Sequence, residues 1–172
     1  MAARNFHDAH PLKHFSHSNE RHIMPVQEAV LSVRDDAPML NLGSSKLLHR
    51  VRSDQTDNAF SVVEFISEPG EGAGIHVHEN EEELVYLLQG QIEVTLGDQT
   101  MTVPQGSCAV LPRNIPHGYK NTGDVQSRLL AVLLPGKLDQ FFVRLNQELS
   151  TDRDHDAVIG ELCDQFGLSF IE

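Results

Sequence analysis

The chain has 172 residues, 40% of them hydrophobic, and 25 acidic against 13 basic side chains give a formal net charge of −12. That length supports one core rather than two, and no apolar run approaches the roughly 20 residues that a membrane-spanning helix needs. The acidic excess repels phosphate backbones and anionic lipid surfaces, which argues against nucleic acid and membrane as partners.

Residues 1–25 are polar and carry five of the ten histidines, His7, His10, His14, His17 and His22. The first four share helical spacing, but Pro11 interrupts them and no carboxylate or cysteine keeps a fixed relation to all four. The segment therefore reads as a polar, mobile arm rather than a second metal site. From 26 to 135, short apolar stretches alternate with turn signals. Strands are expected at 28–33, 46–51, 59–67, 74–78, 83–89, 91–96, 99–103, 107–111, 116–121 and 127–134, the signature of an all-β sandwich or barrel.

After Pro135-Gly136 the period changes. Leu138, Phe141, Phe142, Leu145 and Leu149 fall at helical spacing, as do Val158, Ile159, Leu162 and Phe166. This predicts two helices within 136–172, packed outside the barrel, with Asp154 or Asp156 capping the second and Gly167 ending it. The stretch from Ile159 to Ser169 has a faint helix-turn-helix cadence that the acidic charge sets aside. Cys108 and Cys163 make no disulfide framework and no apolar leader opens the chain, so a reducing cytoplasm is expected. Cys108 reads as a small buried hydrophobe rather than a catalytic thiol.

The chemistry concentrates in two segments. The first runs Gly70, five residues, His76-Val77-His78, four residues, Glu83, six residues, Gly90; the second runs Gly106, five residues, Pro112, then Asn114, His117 and Asn121. In a strand, His76 and His78 at i and i+2 point to one face, their Cα atoms roughly 6.5–7 Å apart. The next strand, if paired antiparallel with the histidine strand, brings Glu83 beside the imidazoles. His117 must arrive from farther along, which a closed barrel permits. A lone strand histidine is ordinarily a plain polar residue. Three imidazoles and a carboxylate set in two glycine–proline frameworks instead point to one divalent transition metal, with Fe, Mn, Ni, Co, Cu and Zn all compatible. Glu79, Glu81 and Glu82 form an acidic run of the kind that usually solvates a turn. The six-residue interval to Gly90 favours Glu83, and Glu82 replaces it if the turn shifts by one. Phe65, Val85, Leu87, Leu111 and Leu133 are candidate apolar walls around the metal.

These segments resemble the paired motifs of the cupin superfamily, G-x5-H-x-H-x(3,4)-E-x6-G and G-x5-P-x-G-x2-H-x3-N. The one departure is Asn114 where the pattern has glycine, and asparagine is the next-best residue for a positive-φ turn. The surrounding text is most similar to single-domain bacterial cupins related to quercetinases. The resemblance implies a jelly-roll-like β-barrel, a metal held by His76, His78, Glu83 and His117, and a homodimer. It also implies dioxygenase action on a small aromatic or enolisable oxygen-containing substrate, with dioxygen as co-substrate and Glu83 as general base. A non-catalytic small-molecule-binding cupin and a metal-dependent isomerase or lyase remain as alternatives, because this fold hosts many functions.

Overall fold

The computed structural model describes residues 28–43 and 45–171; the arm at 1–25 lies outside them. Eleven strands and two helices follow in order: β1 Met39–Asn41, β2 Lys46–Val51, β3 Ser61–Ser67, β4 Gly72–His78, β5 Glu82–Gln89, β6 Gln91–Leu96, β7 Gln99–Pro104, β8 Cys108–Leu111, β9 His117–Asn121, β10 Ser127–Leu134, α1 Asp139–Glu148, α2 His155–Phe166 and β11 Leu168–Phe170. They form two antiparallel sheets, β1-β2-β3-β10-β5-β8 and β11-β4-β9-β6-β7. Among the described residues no ladder joins the two sheets, so the barrel is a jelly-roll-like pair of facing sheets rather than a closed cylinder.

Strand alternation determines what faces inward. In the six-stranded sheet, Leu47 pairs with Phe65, Phe65 with Leu129 and Leu129 with Leu87; one step along, Val63, Ala131, Val85 and Ala109 form the next row. A third row runs Ser61, Leu133, Glu83, Leu111. Apart from the buried His49 that pairs with Val63, all but one member of these rows are apolar or small. Glu83 is the charged exception, placed at one end of an apolar interior.

The helices do not sit outside the barrel as expected. α1 contacts β1 at the edge of one sheet, α2 contacts β11 at the edge of the other, and the helices contact each other. They bridge the seam, and their Phe141, Leu145, Val158 and Leu162, with Leu138 just before α1, join Leu47, Val63 and Leu133 in one core cluster. Fully burying such a side chain is worth about 1.5–3 kcal/mol, so the seam is a main element of the core. The Asp154 carboxylate caps α2 by accepting from the backbone of Asp156 and Ala157. Gly167 ends it at a φ of 68°. No strand forms at 28–33; a short 3-10 turn at Arg34–Asp36 follows it, and then the unforeseen β1. Both β1 and β11 are three residues long, too short to show a period of two.

Candidate metal centre

Strand β4 carries His76 and His78, and β9 carries His117 directly opposite His76. The sheet geometry requires bare backbone beside them: a Cβ on Gly72 would lie 2.0 Å from the Tyr119 carbonyl oxygen. Asn114 takes a φ of 61° in the loop that delivers His117, the conformation its motif position needs. Its N–H donates to the His78 carbonyl at 2.9 Å, tying that loop to the histidine strand.

The three imidazoles converge. Ring centroids lie 4.9 Å apart for His76 and His78, 4.4 Å for His76 and His117, and 4.9 Å for His78 and His117. One ring nitrogen from each lies within 4.8 Å of the others. The His76 Nδ1–H donates to the Gly74 carbonyl at 2.7 Å and the His117 Nδ1–H to the Ile115 carbonyl at 2.8 Å. Because a carbonyl only accepts, each ring when neutral carries its proton on Nδ1 and leaves Nε2 free, the tautomer that metal ligation needs.

Glu83 does not pair beside the histidine strand. It comes from β5 in the opposite sheet, between Leu133 and Leu111, and reaches across the interior to place Oε2 3.5 Å from His117 Nε2. Glu82 faces away and is exposed, with Oε1 3.8 Å from Arg113 Nε. Glu81 is buried outside the cavity lining; burial pushes its carboxyl up to about 7, against the downward pull of Arg113.

Burial pulls the His78 ring down to about 4, outweighing the upward pull of Glu83. It is also the main cause of the lowered His76 value, with His117 adding to it. Burial opposes protonation at His117 too, but the Glu83 carboxylate and the Ile115 carbonyl outweigh it and raise that ring. Two neutral donors and one ring leaning on a carboxylate are a donor set matched to a divalent cation. The buried His78 Nδ1 and His117 Nε2 have no hydrogen-bond partner. Unsatisfied buried nitrogens in a cluster of this kind fit a metal ion.

The cluster opens into a cavity of about 390 Å³. Its walls include Phe65, Val85, Leu87, Leu111 and Leu133, the five expected, and no Lys or Arg lines it among the described residues. The sequence reading missed Phe141, Phe142, Leu145 and Ile159 from the helices and Leu168 and Phe170 from β11, all of which line the same space. The apolar stripe of each helix was visible, but not its destination. Cys108 is exposed rather than buried; it lies opposite the exposed Tyr86 on the sheet-edge strand β8.

Comparison with known proteins agrees with this architecture. A family model described as the cupin domain matches residues 63–133. Protein SchB of Streptomyces halstedii is 39% identical over 67 residues, 39% of this chain and 49% of that protein. Polyketide synthase CurC of Streptomyces cyaneus is 33% identical over 70 residues, 41% of this chain and 46% of that protein. Quercetin 2,3-dioxygenase of Bacillus subtilis is 31% identical over 97 residues, 55% of this chain and 28% of that protein. The chain thus spans half or less of the length of these curated relatives. Among solved structures, KdgF from Halomonas sp. superposes with a TM-score of 0.58 at 18% identity, covering 64% of this chain and 99% of that one. That likeness speaks to the fold alone. The matched segment spans both histidine strands and the Glu83 strand on a jelly-roll frame, so residues 63–133 form a cupin domain.

Proposed function

We propose that this protein is a metal-dependent cupin whose ligands are His76, His78, Glu83 and His117, and that it acts as a dioxygenase on a small aromatic or enolisable oxygen-containing compound. The observation that carries the reading is the convergence of three imidazoles and one carboxylate at the end of a cavity of about 390 Å³ that no Lys or Arg among the described residues lines. An anionic sugar or phosphate substrate calls for Arg or Lys in the pocket; an apolar slot suits a planar, weakly polar molecule. Bound there, a divalent transition metal supplies a Lewis acid with positions open to substrate oxygen.

The chain's own residues do the rest. The Gly74 and Ile115 carbonyls hold two rings in the ligating tautomer. Glu83, buried among Leu133 and Leu111, is placed to accept the proton of a substrate hydroxyl as general base. The aliphatic walls keep bulk water from the reacting atoms. The likeness to quercetin 2,3-dioxygenase, with 97 aligned residues, supports this chemistry. The test is metal content by elemental mass spectrometry, followed by oxygen uptake with quercetin or acetylacetone. We expect near-stoichiometric metal and uptake that depends on it; no uptake under any metal reconstitution sets the dioxygenase aside.

The likeness to Polyketide synthase CurC favours a polyketide as substrate class, and the second reading of the same site is an isomerase or lyase step at a redox-silent metal. Turnover that persists without oxygen distinguishes it from the first. We further infer a homodimer acting in the cytoplasm, with an arm at 1–25, a cupin core at 26–135 and a helical extension at 136–172. Leu84, Tyr86, Leu88 and Val110 are exposed side by side on the outer face of β5 and β8 and support self-association, which sedimentation tests.

A further inference from the structure

Strand β11 pairs with the histidine strand in register, Leu168 opposite His78 and Phe170 opposite His76. Together with His76 opposite His117 and His117 opposite Leu96, this makes one inward row: Phe170, His76, His117, Leu96. The Phe170 ring centroid lies 5.8 Å from that of His76, tilted by 50°. Gly74 leaves ordinary van der Waals room for the ring, with a Cβ there 3.7 Å from Phe170 Cδ1.

The placement is braced at both ends. The Ile171 N–H donates to the Ile75 carbonyl and the Glu79 N–H to the Gly167 carbonyl, each at 2.9 Å. Asn80 Nδ2 donates to the Phe166 carbonyl at 3.1 Å. Leu168 on the same strand is buried, whereas Phe170 is 54% exposed while lining the cavity. A residue that is both cavity wall and solvent-exposed stands at the mouth. It belongs to neither core cluster, so core packing does not account for an aromatic ring there.

We propose that Phe170 determines specificity at the metal pocket, offering the face of its ring to a planar aromatic ligand whose oxygen lies toward the histidine cluster. This rests on the reading of the cavity as a metal pocket for aromatic or enolisable compounds and selects the aromatic members of that class. An offset stack on a ring beside His76 discriminates aromatic from small aliphatic chelators by about three- to tenfold in Kd.

The experiment compares the zinc-reconstituted full chain with F170L and F170W, titrated without oxygen with quercetin and with acetylacetone. We expect F170L to raise the quercetin Kd about fivefold while acetylacetone shifts less than about twofold, and F170W to retain quercetin. Zinc content and thermal midpoint stay unchanged in both variants. An equal Kd shift for both ligands, no shift for either, loss of zinc in F170L, or no quercetin binding by the parent protein each overturns the proposal. Zinc turns over no oxygen, so failure of the dioxygenase reading appears in the uptake assay and leaves this ratio readable.

Discussion

Two places in this molecule bury a histidine beside a carboxylate, and they differ in what surrounds the polar atoms. At the start of α1, Asp139 has no exposed surface. Its Oδ2 accepts from the Ser53 N–H at 2.7 Å and pairs with His49 Nε2 at 2.9 Å, and its Oδ1 accepts from Ser53 Oγ at 2.8 Å. The carboxyl is held below the usual range because these hydrogen bonds outweigh burial. At the metal centre, His78 Nδ1 is equally shielded from water with no hydrogen-bond partner, and His117 Nε2 faces only the Glu83 carboxylate at 3.5 Å, too long for a well-formed hydrogen bond. A satisfied polar network inside a protein is a joint; an unsatisfied one beside a cavity is a site waiting for a ligand.

The sharpest way to break that contrast is Asp139→Ala. It strands His49 Nε2, Ser53 N–H and Ser53 Oγ, each buried, at about 1–3 kcal/mol apiece. We expect urea denaturation to report a loss of about 3–5 kcal/mol with metal per folded chain unchanged. Because the folded Asp139 value is lowered, its contribution is present above the ordinary carboxylate range and disappears as pH falls through the folded value. The penalty of the substitution therefore shrinks on acidification.

His76→Ala gives the opposite pattern. Metal affinity is expected to fall at least about 100-fold, near 2.7 kcal/mol, measured by competition with a chelator. The metal-free protein keeps its stability to within about 0.5 kcal/mol, since His76 is only half-buried and its side-chain hydrogen bond is a local one to Gly74. A large loss of metal-free stability would mean that the cluster is a joint after all.

Glu81 sharpens the comparison by belonging to neither class. It is buried, its Oε2 has no hydrogen-bond partner, and its carboxyl is pushed up to about 7. A raised acid is favoured in its protonated form on folding, so its charged form destabilises as pH climbs from the ordinary carboxylate range through 7. We expect Glu81→Gln to match the parent near pH 4 and to exceed it by about 1 kcal/mol near pH 8, discounted for solvent screening. Thermal midpoints at the two pH values test this.

Much of this was legible in the chain because local rules carried it. His76 and His78 announce their shared face through a period of two, and Asn114 announces a turn through its tolerance of positive φ. The strand pattern gave the sheets, but not which strands pair. Glu83 is expected beside the histidines through a strand paired with theirs; it does lie beside His117 but reaches it from the facing sheet, because antiparallel order across a jelly roll is decided by long-range contacts. The helices' apolar stripes were visible, while their seat in the seam depends on the space the sheets leave. Phe170 gave no signal, since three residues cannot establish a strand and the neighbour that matters lies 94 positions away at His76.

The smallest expected effect tests the choice between adjacent carboxylates. In β5 the side chains alternate, so Glu82 and Glu83 must face opposite ways. Register settles which is which: Glu83 lies opposite Leu133 and Leu111 on the inward row, and Glu82 lies opposite Leu134. Glu82 meets only Arg113, at 3.8 Å and in solvent, an arrangement worth at most about 0.5 kcal/mol. Glu82→Gln is accordingly expected to leave stability and metal affinity where they are. Glu83→Gln removes the charge 3.5 Å from His117 and, on the proposed reading, a ligand, so metal affinity falls while the Glu82 variant stands as its control. Metal loss in the Glu82 variant with none in the Glu83 variant would place the strand one residue out of register and bring the outward carboxylate into the site.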